Sequence, residues 1–186
     1  MKVWDGRFIL ISTFIALAGC SAGQVNKDFK FDSDNSKGLM VLGWEGLDKY
    51  YTAQIELYFQ GVDKDGKFDD RAIRITNGDT FERKNPTEYY VVEAKPGYYV
   101  IDYAITHPII TKITRLCLGT IKFEILPGKV SYVGNIHSTL NGPPVQAAFP
   151  HPDAAAAKLS EYPKITPPMT LSPIWNVPYP DKTLCH

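Results

Sequence analysis

An excess of charge of either sign is missing from this chain: 20 Lys and Arg stand against 20 Asp and Glu in 186 residues, scattered without a long run. Nucleic-acid binding needs a basic footprint, and recruitment to anionic lipid needs a polybasic cluster, so the balance argues against both. An apolar run long enough to cross a bilayer is also missing. The most apolar stretch, residues 8–18, falls short of the roughly 20 residues that a membrane-spanning helix requires. Histidine and cysteine are scarce. His107, His137, His151 and His186 share no metal-ligand spacing with one another, and Cys185-His186 adjoin where a flexible end makes a poor site, so no metal and no cofactor is expected. There is no nucleophile elbow, no zinc-protease helix and no phosphate-cradling glycine loop, so the chain is not expected to be an enzyme. Acidic neighbours such as Glu45 and Asp48 read as solvated loop charges.

What is present begins with a leader. Lys2 and Arg7 precede the apolar stretch, which ends in small residues, the layout of a secretory signal over residues 1–19. The tetrapeptide Leu17-Ala18-Gly19-Cys20 resembles the lipobox of bacterial lipoproteins. That resemblance implies cleavage before Cys20, lipidation of Cys20, and a body tethered to a membrane through several acyl chains. Ser21 stands where the lipoprotein sorting rule would place Asp for inner-membrane retention. The implied location is therefore the periplasmic face of the outer membrane in a Gram-negative source. Removing 19 residues leaves 167, enough for one domain of ordinary size. The expected organisation is a tether over 20–27, a domain over 28–150, and a short helix with a proline-rich extension over 151–186.

Export also bears on the cysteines. With Cys20 lipidated, Cys117 and Cys185 remain, 68 positions apart in an oxidising compartment, and a disulfide between them is expected; two free thiols are the alternative. Period-two alternation dominates the rest. Ile55, Leu57 and Phe59 alternate with polar neighbours; Tyr99, Ile101, Tyr103 and Ile105 do the same; so do Ile121, Phe123 and Ile125. Val130, Tyr132 and Ile136 are expected to share one face, with His137 on the wetter face of Ser131, Val133 and Asn135. Further strands are expected over 28–32, 39–44, 72–76 and 88–93, each rich in β-branched or aromatic residues. Asp65-Gly66, Asn77-Gly78, Pro96-Gly97 and Pro127-Gly128 punctuate these runs. The fold class is therefore all-β, an antiparallel sandwich of about seven or eight short strands. One short helix over 153–161 would be capped by Asp153 and stopped by Pro163.

The segments Ala94-Lys95-Pro96-Gly97-Tyr98-Tyr99 and Leu126-Pro127-Gly128-Lys129-Val130-Ser131-Tyr132 look like the paired Pro-Gly turns of small bacterial lipoproteins with transthyretin-like sandwiches, in the manner of the DUF2846 group. The resemblance spans roughly residues 38–136 and implies a fold without catalytic residues. Residues 63–70 gather four carboxylates but depart from the calcium-loop pattern, with Lys67 and Phe68 where a ligand and a glycine belong, so a solvated hairpin turn is expected. The extension over 162–180 holds six prolines interleaved with Tyr162, Met169, Leu171, Ile174, Trp175 and Tyr179. Prolines deny it helix and central strand. Either it folds back over the sandwich, burying Ile174 and Trp175, or it presents Ile174, Trp175 and Tyr179 to a partner. Two function classes stand: a non-catalytic structural or interaction module that binds another envelope protein, and a sandwich that binds a glycan or peptidoglycan fragment on its tyrosines.

Overall fold

Alternating side chains become strands wherever one or both faces can be buried, and the outcome here is two stacked sheets with a third, partial layer. The computed structural model describes residues 23–45, 54–76, 87–107, 112–137, 146–148 and 151–185. The expected leader over 1–19, Cys20, the expected turn Asn77-Gly78, Asp48 and His186 lie outside these.

Among the described residues there are eleven strands. They are β1 (Gly38–Glu45), β2 (Gln54–Val62), β3 (Phe68–Thr76), β4 (Thr87–Ala94), β5 (Gly97–His107), β6 (Lys112–Arg115), β7 (Thr120–Ile125), β8 (Val130–His137), β9 (Gln146–Ala148), β10 (Met169–Leu171) and β11 (Ile174–Val177). One sheet runs β11-β7-β5-β2-β3 with β6 also on β5, and is antiparallel throughout. The other runs β10-β8-β1-β4 with β9 on β8, and it is mixed: β8 lies parallel to both β1 and β10. The all-β sandwich is as expected, but the strands are more numerous and the second sheet is not purely antiparallel. β8 reaches β1 only after the chain has crossed the other sheet, so no hairpin dictates its direction.

The main core lies between the sheets. Met40, Leu42 and Trp44 of β1 and Tyr90 and Val92 of β4 meet Leu57, Phe59, Ile73, Tyr99, Ile101 and Phe123. The outer face of the mixed sheet is covered as well. Leu39, Val41, Val91, Val130 and Tyr132 pack beneath Val25, Phe31, Ala155 and Tyr162. This second layer explains why β1 reads as a near-continuous apolar run instead of an alternating one.

Four expectations are corrected. Residues 28–32 are not a strand; only Phe31 bridges, to Ile165, with turns on either side. The third strand starts at Phe68, not at residue 72. The body begins earlier than residue 28, because Gln24 bridges Val92, and Val25 N–H donates to Val91 O at 2.9 Å. The helix α1 (Pro152–Leu159) is preceded by His151 and starts on Pro152, so Asp153 sits inside the first turn and is not its cap. Proline needs no donor there and has the helical φ built in.

The face assignment in β8 is also overturned. Between Tyr132 and Asn135 the strand carries one residue more than β1 does, a bulge centred on Gly134, whose φ of 86° suits glycine. Val130 and Tyr132 therefore face the outer layer, whereas Val133 and Ile136 face the main core. Ser131 and Asn135 are buried and not on a wetter face. The Tyr132 hydroxyl donates to Asn135 Oδ1 at 2.5 Å and accepts from His151 N–H at 2.9 Å, which ties the start of α1 to β8. Asn135 in turn donates to Glu45, so Glu45 is a bonded, half-buried group at the end of β1 and not a solvated loop charge.

Candidate functional site

The proline-rich extension is built into the body as a strap that touches both sheets. Phe31 N–H donates to Lys164 O and Thr166 N–H to Phe31 O, which seats the first part on the outer layer beside buried Tyr162. Met169–Leu171 then lies along β8 as an edge strand. Ser172 makes the crossing: its N–H donates to Tyr132 O of the mixed sheet at 2.9 Å. Its hydroxyl donates to Glu124 O at 3.0 Å and accepts from Glu124 N–H at 3.2 Å in the antiparallel sheet. Beyond Pro173, Ile174–Val177 pairs antiparallel with β7. Prolines confine each strap strand to three or four residues, and both are edge strands, where the missing N–H groups are tolerated.

Past β11 the strap closes. Tyr179 is 2% exposed, meets Phe68 of β3 edge-to-face at 5.8 Å, and donates its hydroxyl to Asp102. Asp102 is the extra residue of a bulge in β5, where Tyr58 and Phe59 of β2 face Tyr103 and Ile101. Cys185 then bonds Cys117, with the Cα atoms 5.7 Å apart, so the expected disulfide is present.

Ile174 and Trp175 do not fill the core. They are 40% and 39% exposed, and Leu171 is 59% exposed, so docking of the strap leaves all three side chains partly accessible to solvent. Tyr179, grouped with them from sequence, is buried and unavailable to a partner. Trp175 alternates with the inward-facing register of β7 and so stands on the outer face, where its ring meets Tyr98 at 6.0 Å in a T-shaped arrangement. Lys122 Nζ lies 4.9 Å from the Tyr98 ring centre and 5.4 Å from that of Trp175. Tyr98 follows Pro96-Gly97 and Lys122 alternates with Ile121 and Phe123, so their outward direction is visible in sequence. Their convergence on Trp175 is not, because it depends on β11 pairing with β7.

A second outward cluster is closed on itself. Tyr58 and Tyr103 stack at 4.4 Å, with Arg74 over Tyr58 and Arg115 over Tyr103. Glu56 accepts from Tyr58 at 2.8 Å and from Arg74. The ring faces of this ladder are occupied by neighbours, which makes it a cross-strand fastening and not an open platform. In the loop over 63–70, Asp63 accepts from the N–H groups of Asp65 and Lys67, and Asp69 accepts from Arg71. Those two carboxylates serve the hairpin itself.

Burial raises the Asp102 carboxyl above its ordinary value, opposed by the Tyr179 hydrogen bond and by Arg115. A folded-state pKa above the unfolded one means that the folded chain holds a proton the unfolded chain has released, so this contribution to stability is lost as pH rises. In chemical melts, the stability of the native chain relative to Asp102→Asn is expected to fall steadily from about pH 4 upward, through the raised pKa. A difference that is flat with pH would contradict the burial argument. Comparison of the chain with family models, with curated proteins and with solved structures finds no match to any of them.

Proposed function

We propose that this chain is the precursor of a lipoprotein anchored through Cys20 to the outer membrane. Its body faces the periplasm as a non-catalytic module that binds another envelope protein along the strap. The observation that carries this reading is the chemistry of the strap edge. Its twelve residues 169–180 hold no charged side chain, and Leu171, Ile174 and Trp175 stand exposed on it. β3, at the opposite edge of the antiparallel sheet, carries Asp69, Asp70, Arg71 and Arg74, the kind of charge that keeps an edge strand from pairing. An extended apolar segment of a partner has main-chain groups of β11 to pair with and Trp175 to cover. A photoreactive residue at Ile174 in cells is expected to give a discrete protein adduct that Trp175→Ala removes. Retention of the adduct in Trp175→Ala would contradict the assignment.

The corner formed by Tyr98, Lys122 and Trp175 favours a second reading, in which a glycan or peptidoglycan fragment rests on Trp175 with an acidic group toward Lys122. Adducts of saccharide mass at position 174, with no protein adduct, would select it. The anchor has its own test. Cys20→Ser is expected to leave the leader uncleaved or to release the protein from membranes, and normal processing with outer-membrane fractionation would contradict lipidation.

A further inference from the structure

The place where the chain enters the body restricts how that body sits on its membrane. Gln24 bridges Val92 of edge strand β4, Glu93 N–H donates to Gly23 O, and Val25 is buried in the outer layer. The chain is thus already fixed at residue 23. Only Ser21 and Ala22 separate Gly23 from Cys20, and three residue steps of fully extended chain span at most about 11 Å. Gly23 to Val25 run antiparallel to β4, with Gly23 nearest its Ala94 end, so the chain enters the body at that end. At that end lie the β4 to β5 turn at Lys95-Pro96, the β7 to β8 turn with exposed Leu126, and the β2 to β3 hairpin, which pairs with the start of β5.

Resting on the lipoprotein reading above, we infer that the body is held directly against the lipid headgroups, with the pole formed by Lys95-Pro96, Leu126 and the 63–67 hairpin turned to the membrane. A mobile stalk is not available to it. Thr87, at the other end of β4, is six residues from Glu93, which places it about 20 Å further from the attachment point. The membrane-facing pole carries a net charge of only +1 near the tether: Lys64, Lys67, Lys95 and Lys129 stand with Asp63, Asp65 and Asp70. Electrostatic attraction to lipid is therefore small, and the short tether alone holds the pole in place.

The test uses the full chain in cells, with a photoreactive residue placed in turn at Lys95, Leu126, Thr87 and His137, and the mature protein examined by mass. Lipid adducts at positions 95 and 126 are expected to exceed those at 87 and 137 by at least tenfold. Inserting ten Gly and Ser residues between Ala22 and Gly23 is expected to reduce the adducts at 95 and 126 several-fold while lipid stays on Cys20. Equal adducts at both poles, or adducts unchanged by the insertion, would overturn the inference while leaving the anchor intact. A mature chain without lipid on Cys20 would overturn the lipoprotein reading and this inference together.

Discussion

Replacing Cys185 by serine is expected to lower the melting temperature by about 10 °C. The bond to Cys117 closes a span of 68 residues, for which restriction of the unfolded chain is worth about 4 kcal/mol, and native disulfides commonly contribute about 2 to 4. For a chain of this size each kcal/mol corresponds to about 2 to 4 °C. The loss has a location. β11 is four residues long and ends four residues before Asp181, so without the bond its end is held by its short pairing with β7 and by the Tyr179 contacts. Amide exchange in residues 174–177 is expected to accelerate before the sandwich opens, while Met169–Leu171, seated on β8, keeps its protection. A Cys185→Ser protein that melts within 2 °C of the native chain, with unchanged exchange in β11, would show that the strap stays closed without the bond.

The second large effect is expected at Arg71, where Arg71→Ala should cost about 3 kcal/mol, or about 6 to 12 °C. Arg71 lies in the irregular start of β3, where the register with β2 shifts. Its guanidinium donates to both Asp69 oxygens, to Pro96 O and to Val62 O at 2.8 Å, and it covers the Tyr99 ring at 5.2 Å. One side chain thus fastens the β2 to β3 hairpin to the β4 to β5 turn. With its side chain only 15% exposed, its removal strands a carboxylate and two carbonyls. Gly97 is required for the same reason. A Cβ there would fall 1.5 Å from Arg71 Nη1, and its φ of 133° is one that other residues rarely adopt. Arg71→Lys is expected to recover little, because a point ammonium lacks the planar fork that meets three acceptors. The hydrogen bond from Arg71 holds the Asp69 carboxyl below the usual carboxylate range. The penalty of Asp69→Asn should therefore be full near neutral pH and fade as pH falls through that lowered value. Urea melts of these variants measure the effect directly. An Arg71→Ala loss under 1 kcal/mol would contradict it.

Alternation was legible where one face of a strand is wet and the other dry. Leu57 and Phe59, Tyr99 and Ile101, and Ile121 and Phe123 point inward as their spacing requires. It misleads where an extra residue intervenes: Gly134 in β8 moves every later side chain to the other face, and Asp102 in β5 turns Tyr103 outward and puts Ala104 in the core, against the expected shared face of Tyr99, Ile101, Tyr103 and Ile105. It is silent where pairing is short and distant. Met169–Leu171 and Ile174–Val177 have no alternation to display, and their edges are supplied by β8, 39 residues earlier, and by β7, 51 to 57 residues earlier. The cysteine pairing was expected from the even count of cysteines left once Cys20 is set aside and from the export reading, with two free thiols as the alternative, and the bond is present. The aromatic content of the extension was visible, but which rings it buries was not. Tyr179 goes in because the bulge at Asp102 offers an acceptor, and Trp175 stays out because it alternates with the inward face of β7. Nor does the sequence reveal how early the body begins, since that follows from Gln24 pairing with Val92 across 68 positions.

The proposal of a lipid-anchored body closed by its own strap makes one joint demand on the covalent state of the mature chain. Intact-mass analysis of protein extracted from membranes, alkylated without reduction, reads it in a single spectrum. The expected mass is that of the chain from Cys20 onward carrying acyl chains on Cys20, with no alkyl group added. A chain that retains residues 1–19, or one that lacks lipid on Cys20, or one that takes up two alkyl groups at Cys117 and Cys185, would contradict the account.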